Sequence, residues 1–347
     1  TSYVLRPMSF VLRPAFAVHS PMLSLLAGRL VRGVLVVFGV VTLTFLLLHL
    51  APGNPVTLLL GPSASPAQVE ARTRALGLDR PLPVQYGIWL GRAVRGDLGE
   101  SIATGRPVAT MLGEAWPRTA LLVALSLAAS YLLGLLVGAI QATTRRPGVD
   151  HALSVTSLTL FAMPSYWLGL LLVMIFAWQL RWLPAFGAAG LDADFLTGWD
   201  RVQDRLAHLA LPLLTLTLIG VGGVARHVRA AMRDVREAPF VFAARARGLG
   251  SARVTRRHIL RNALVPVVTL LGLSLPALFS GTVFIEVIFG WPGVGLVLVQ
   301  AVGARDIPVV MAATTVSAIL VVVGNLLADL MTAQVDPRVR LTADSDG

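Results

Sequence analysis

Six stretches of this chain stay apolar for about the thickness of a membrane, and nothing else in the sequence restricts its fold as tightly. The hydrocarbon core of a bilayer takes about 20 apolar residues in a helix, and backbone amides inside it must find partners within the chain. The stretches run from Gly33 to Leu50, Thr119 to Gln141, Leu153 to Trp178, Leu209 to Ala225, Ala263 to Ile285 and Ile307 to Ala328. The expected fold is therefore all-α and polytopic, with six transmembrane helices. The fourth stretch is short and suits a thinner or locally distorted bilayer. Composition agrees: 14% of the 347 residues are charged and 55% hydrophobic, against about 25% charged in an ordinary soluble domain.

The basic residues set the orientation, because arginine-rich loops stay in the cytoplasm. With the N-terminus inside, the cytoplasmic pieces carry Arg6, Arg13, Arg29 and Arg32, then Arg145 and Arg146, then ten arginines between Arg226 and Arg261, then Arg338 and Arg340. This gives an N-in, C-in topology. A net charge of +11 otherwise points to nucleic acid, but here the arginines border apolar spans, and the membrane accounts for them. No nucleic-acid partner is expected. Residues 1–22, with SYVLRP nearly repeated as SFVLRP, read as a mobile or added extension. The first helix occupies 23–51, and its lack of a small-residue cleavage site favours an uncleaved anchor over a secretory signal. An extracytoplasmic segment follows over 52–118. There Ser65-Pro66-Ala67-Gln68 forms a capping-box pattern that predicts a short helix from Pro66 to Leu76. A five-helix core covers 119–335, with a cytoplasmic loop at 229–262, and 336–347 is a cytoplasmic tail.

Several chemistries are excluded by residue type. There is no cysteine, hence no disulfide and no thiolate metal site or nucleophile. All 29 basic residues are arginine, so a phosphate loop lacks its lysine. No Gly-x-Ser-x-Gly or His-Glu-x-x-His pattern occurs. No catalytic residue, metal ligand or cofactor is assigned to this chain. The second, third, fifth and sixth spans contain no Asp, Glu, Arg or His, which counts against a stand-alone ion-coupled carrier, the alternative reading. Glu286, Asp329, His49 and His208 fall at span ends, where interfacial hydration is expected. Energy for transport is therefore expected from a partner.

The loop between the fourth and fifth stretches is where such a partner would bind. Phe242-Ala243-Ala244-Arg245-Ala246-Arg247-Gly248-Leu249 predicts a helix whose alanines Ala243, Ala244 and Ala246 form one small-residue face open to another surface. Gly248 can adopt positive φ and end it sharply. A second helix then continues through Arg253 into the fifth span, completing an elbow. Retention of basic loops explains the arginines without a partner, but not the alanines and the glycine. Pro164, Pro212 and Pro276, the last with Gly272 and Gly281 nearby, mark kinks in the third, fourth and fifth spans, either static or acting as hinges along the pathway.

At this loop the sequence resembles the permease subunits of oligopeptide, dipeptide and nickel ABC importers. Ala243, Ala244 and Gly248 align with the two alanines and the glycine of their EAA motif, and Leu260 with its later leucine. Phe242 stands at the acidic position, His258 at the isoleucine and Arg261 at the proline, departures that the peptide branch shares. Further landmarks are Ala51-Pro52-Gly53-Asn54-Pro55, Leu76-Gly77-Leu78-Asp79-Arg80-Pro81, Met163-Pro164-Ser165-Tyr166-Trp167 and Glu286-Val287-Ile288-Phe289-Gly290-Trp291-Pro292-Gly293. The resemblance covers about Leu30 to Arg340. It implies a type I ABC importer permease in the bacterial inner membrane, carrying peptides or similar small solutes. It also implies a second homologous permease subunit, two ABC ATPase subunits that bind ATP and Mg, an extracytoplasmic solute-binding protein, and docking of the ATPase through residues 242–249 and Leu260.

Overall fold

The computed structural model describes residues 20–50 and 53–335, and side-chain packing outside positions 20–27, 269, 272–273, 275–281, 328–329 and 331–335. Described elements are helices: α1 (Ser20–Leu50), α2 (Pro55–Leu60), α3 (Pro66–Ala75), α4 (Leu82–Val94), α5 (Val108–Thr143), α6 (Pro147–Ala162), α7 (Ser165–Leu172), α8 (Gly198–Arg236), α9 (Pro239–Ala246), α10 (Ser251–Val254), α11 (Arg261–Ile288), α12 (Val294–Gly303) and α13 (Ile307–Val335). Two π-helical stretches, Val173–Gln179 after α7 and Thr255–Leu260 before α11, continue their neighbours. Among the described residues α1, α5, α8 and α13 each contain a window long and apolar enough to cross a membrane, and α6 with α7 forms a bent apolar pair. The fifth predicted stretch falls on α11, a 28-residue helix. The predicted extension 1–22 lies mostly, and the tail 336–347 wholly, outside the described residues.

α5 and α8 form the centre of the bundle. They meet through small residues, which let two backbones approach where lipid offers no hydrophobic drive to do so. A Cβ on Gly134 would lie 2.6 Å from Val224 Cβ, and one on Gly138 would lie 2.5 Å from the Ala225 carbonyl oxygen. Ser130 donates to the Thr217 carbonyl across the same seam at 3.2 Å. α6 closes on the other side of α8, where Gly222 faces the Ser157 backbone. α1 is the outermost span: 17% of its apolar window is buried within the chain, against 50% for α8.

Two expectations are corrected here. The fourth span is not short: α8 has 39 residues and is the longest helix described, running unbroken through a buried Pro212. Apolarity marks only its middle. The flanks, from Asp200 to His208 and from Arg226 to Arg236, are polar yet good enough helix formers to extend an existing helix at little cost. The third stretch, where Pro164 marked a kink, is broken outright and not merely kinked. It breaks at Met163–Pro164, and its two limbs are turned by 107°. The proline ring drives Met163 out of the helical region, to φ −77 and ψ 130.

The segment predicted to lie outside contains the expected capped helix. Ser65 Oγ accepts from the Gln68 amide while the Gln68 side chain accepts from the Ser65 amide, and α3 follows. It also contains α4, whose Tyr86 hydroxyl lies 2.7 Å from Thr42 Oγ1 of α1. The predicted boundary at 118 falls inside α5, which begins at Val108.

Candidate coupling surface

The loop singled out in the sequence folds into the predicted elbow. α9 ends at Ala246, and the chain turns away at Gly248, which has φ +79, a conformation that favours glycine. The Gly248 amide donates to the Arg245 carbonyl at 2.9 Å and the Leu249 amide to the Ala244 carbonyl at 3.3 Å. This is the paired closure of a Schellman motif, with Leu249 folded back towards the last turn. α10 then starts at Ser251 and passes through the π-helical stretch into α11.

One side of the elbow is anchored. Val241 and Ala244 are buried in a cluster with Met232 of α8, Val254 of α10 and Ile259, and Leu249 and Leu260 pack against it. Ala244 is thus a core residue, and the three alanines do not share one outward face. Val241 and Ala244 are three positions apart and point together into the bundle, whereas Phe242, Ala243, Arg245, Ala246, Arg247 and Gly248 are exposed. The outward surface is Phe242, at 59% exposure, with neighbouring Phe240 at 45%, set among exposed arginines that include Arg253, Arg256 and Arg257.

The elbow is joined to the rest of the bundle by charge. Asp150, near the start of α6, receives Arg229 Nε at 2.8 Å and Arg229 Nη2 at 2.7 Å, a two-pronged fork, and Arg233 Nη2 at 2.9 Å. Arg236 Nη1 reaches the Ala142 carbonyl near the end of α5 at 3.5 Å, and Arg226 stands 4.3 Å over the Phe161 ring. These contacts hold the end of α8, from which α9 hangs, to α5 and α6. The sequence reading did not single out Asp150. Its signal was a lone acid between Arg146 and His151 in a loop otherwise rich in arginine.

Of the predicted hinge positions, Pro164 sits at the break between α6 and α7 and Pro212 inside α8. The backbone of α11 passes through Gly272, Pro276 and Gly281, but the packing there lies outside the described residues. At the opposite end of the bundle the sequence reading misjudged one acid and passed over another. Glu286, expected to be hydrated at a helix end, has no exposed surface. It accepts from Thr119 Oγ1 at 2.7 Å, from the Gly295 amide at 2.6 Å and from the Leu296 amide at 3.3 Å. Its chain reverses at Gly290, φ +57, so that α12 presents its first amides to the carboxylate. Asp306, before α13, is likewise buried and accepts from Ser101 Oγ and from the Ile102 and Ala103 amides, the latter two at 3.1 Å. His208, also expected at a boundary, packs against Asp204 with Nδ1 3.2 Å from Oδ1. The side chain of Asp329 lies outside the described residues. No group of three or more potential metal-binding His, Cys, Asp or Glu side chains occurs among the described residues.

An all-helical bundle of several membrane-length spans, with an anchored basic elbow at one end, defines a polytopic membrane protein. Residues 22–127 match the N-terminal part of the binding-protein-dependent transport system membrane component, and residues 130–341 match the binding-protein-dependent transport system inner membrane component. The chain is 38% identical over 312 residues to the oligopeptide transport system permease protein AppB of Bacillus subtilis, covering 90% of this chain and 97% of that one. It is 38% identical over 336 residues to the di/tripeptide transport system permease protein DppB of Pseudomonas aeruginosa, covering 92% and 99%. A solved amino acid ABC transporter with histidines overlays with a TM-score of 0.49 at 16% identity, over 65% of this chain and 94% of that one. The chain belongs to the family of binding-protein-dependent ABC importer permeases, as an inner-membrane subunit.

Proposed function

We propose that this subunit forms half of a translocation pathway for peptides or similar small solutes, paired with a second homologous permease and driven from the cytoplasm by two ATPase subunits. Those subunits bind ATP and Mg, and a solute-binding protein delivers substrate from outside. The relatives named for oligopeptide and di/tripeptide transport support the substrate class.

The observation that carries the mechanism is the two-sided build of the elbow. Phe242, Ala243 and Ala246 are free to meet an ATPase, while Val241 and Ala244 lock the same helix to α8 and α10. A push on the outward side is therefore passed to α8 and α11 and not absorbed by a loose loop. The basic surround calls for an acidic rim on the docking cleft, since like charge there costs binding.

Reconstitution tests the proposal. Vesicles holding this chain with its second permease, ATPases and binding protein take up a short peptide only when ATP is present, and continue to do so when ion gradients are collapsed. Uptake by this chain unaided, or uptake that follows a proton or sodium gradient, overturns it.

A further inference from the structure

α4 belongs to the segment that the sequence places outside the membrane, yet its contacts lie below the end of a span. Its Tyr86 hydroxyl pairs with Thr42, and Tyr86 and Trp89 pack on Val41 and Phe45 of α1 and Met311 of α13. The span in α1 ends at Leu50. At a rise of 1.5 Å per residue, Thr42 lies about 12 Å and Phe45 about 8 Å inside that end. On α13, Met311 lies about 6 Å inside the start at Ile307 by the same measure. α4 therefore packs alongside the apolar stretches of two candidate spans, Gly28–Leu50 and Ile307–Leu327, and not beyond their ends.

The other face of α4 is open and apolar. Val84, Gly87 and Val94 are exposed, Val94 by 82%. Exposed arginines stand at both ends: Arg80 before the helix, and Arg92 and Arg95 at its close. Among the described residues none of the three pairs with an acid, in contrast to Arg74 with Glu70 and Arg106 with Glu114. Half-exposed Phe38 of α1 also meets the Tyr86 ring, at 6.5 Å.

We propose that α4 is an in-plane membrane helix. It is embedded in the leaflet at the Leu50 end of α1, the outer one in the N-in orientation, with its Val84–Gly87–Val94 face against acyl chains and Arg80, Arg92 and Arg95 on anionic phospholipid headgroups. An apolar face with basic ends is what such helices present to a bilayer, with long arginine stems reaching up to the phosphates.

The absence of cysteine makes the test direct. Single cysteines replacing Val84, Gly87 and Val94, with Ala67 of α3 as the water reference, carry a nitroxide in the full chain. The chain is assembled with its partners in vesicles of phosphatidylethanolamine and phosphatidylglycerol. Oxygen relaxes the labels at 84 and 87 more than a water-soluble nickel chelate does, and the order reverses at 67. Nickel access at 84 and 87 equal to that at 67 places α4 in water and overturns the proposal. Exclusion of both reagents means that a protein covers the face, and overturns it as well. The arginine contacts predict that R92Q/R95Q, or phosphatidylcholine in place of phosphatidylglycerol, moves the label at 94 towards water. No shift from either change removes the headgroup contact.

Discussion

Thr119 Oγ1 donates to Glu286 at 2.7 Å, tying α5 to α11 where neither side chain is more than 3% exposed. The same threonine oxygen accepts from the Val294 amide at 2.9 Å. The carboxylate and hydroxyl together therefore receive the first amides of α12, whose N-cap residue, Gly293, has no side chain to do so. Unpaired amides at a buried helix start are costly, so the two side chains fix where α12 begins.

Glu286→Ala is expected to lower the stability of the purified protein markedly. It strands the Gly295 and Leu296 amides and the Thr119 hydroxyl, at about 1–3 kcal/mol for each group left without a partner. Glu286→Gln keeps one acceptor oxygen and loses less. Thermal unfolding in detergent ranks the two; equal stability of Glu286→Ala and the native chain removes the capping role.

Gly293→Ala tests the same site from the other side. A Cβ there would lie 2.4 Å from the Glu286 carboxyl group, which is itself held on three sides and cannot swing away cheaply. The expected cost is about 1–3 kcal/mol, the range for overpacking. Restoration of stability in the double variant Gly293→Ala with Glu286→Ala, relative to the sum of the singles, would show that the clash is the cause.

Asp150→Asn is expected to loosen α6 from the end of α8. Asp150 bears two arginines, one of them by a fork, and the three side chains are part-exposed, so the loss is roughly 1 kcal/mol or less. The difference from the native chain shrinks as salt rises, because these charges are partly screened. A salt-independent loss would point to packing and not to the ion pair. Melting curves at low and high salt separate the two.

How much of this was legible differs element by element. The apolar stretches located the spans, and the capping box and Gly248 located α3 and the elbow, because each rests on local chemistry that neighbouring residues complete. The length of α8 was hidden because a hydropathy reading stops where polar residues begin, while the helix does not. Glu286 and Asp306 were hidden for a different reason. Their partners, Thr119 and Ser101, are more than 160 residues away in sequence, and a single acid at a span end has the same local signature whether hydrated or buried. Ala244 was placed on the wrong side because three alanines in four positions do not share a helical face; the inward pair had to be chosen by what α8 and α10 present.

That placement divides the elbow into testable halves. Ala244→Trp forces a large ring into the cluster of Val241, Met232 and Val254, and is expected to destabilise the protein by about 1–3 kcal/mol through overpacking. Ala246→Trp puts the same ring on an exposed position, and is expected to leave the melting temperature unchanged while crowding the docked ATPase. Gly248→Asp belongs with the second group: nothing lies within 4 Å of a Cβ at this site, and aspartate tolerates positive φ better than most residues at modest cost. It also puts an acid into a basic surface. Membrane insertion of both exposed variants should be normal, with ATPase co-purification and binding-protein-stimulated hydrolysis reduced. Normal co-purification and hydrolysis in both Ala246→Trp and Gly248→Asp would mean that the ATPase meets this subunit elsewhere. A melting temperature unchanged in Ala244→Trp would show that the helix can rotate, so that the lever described here is not rigid.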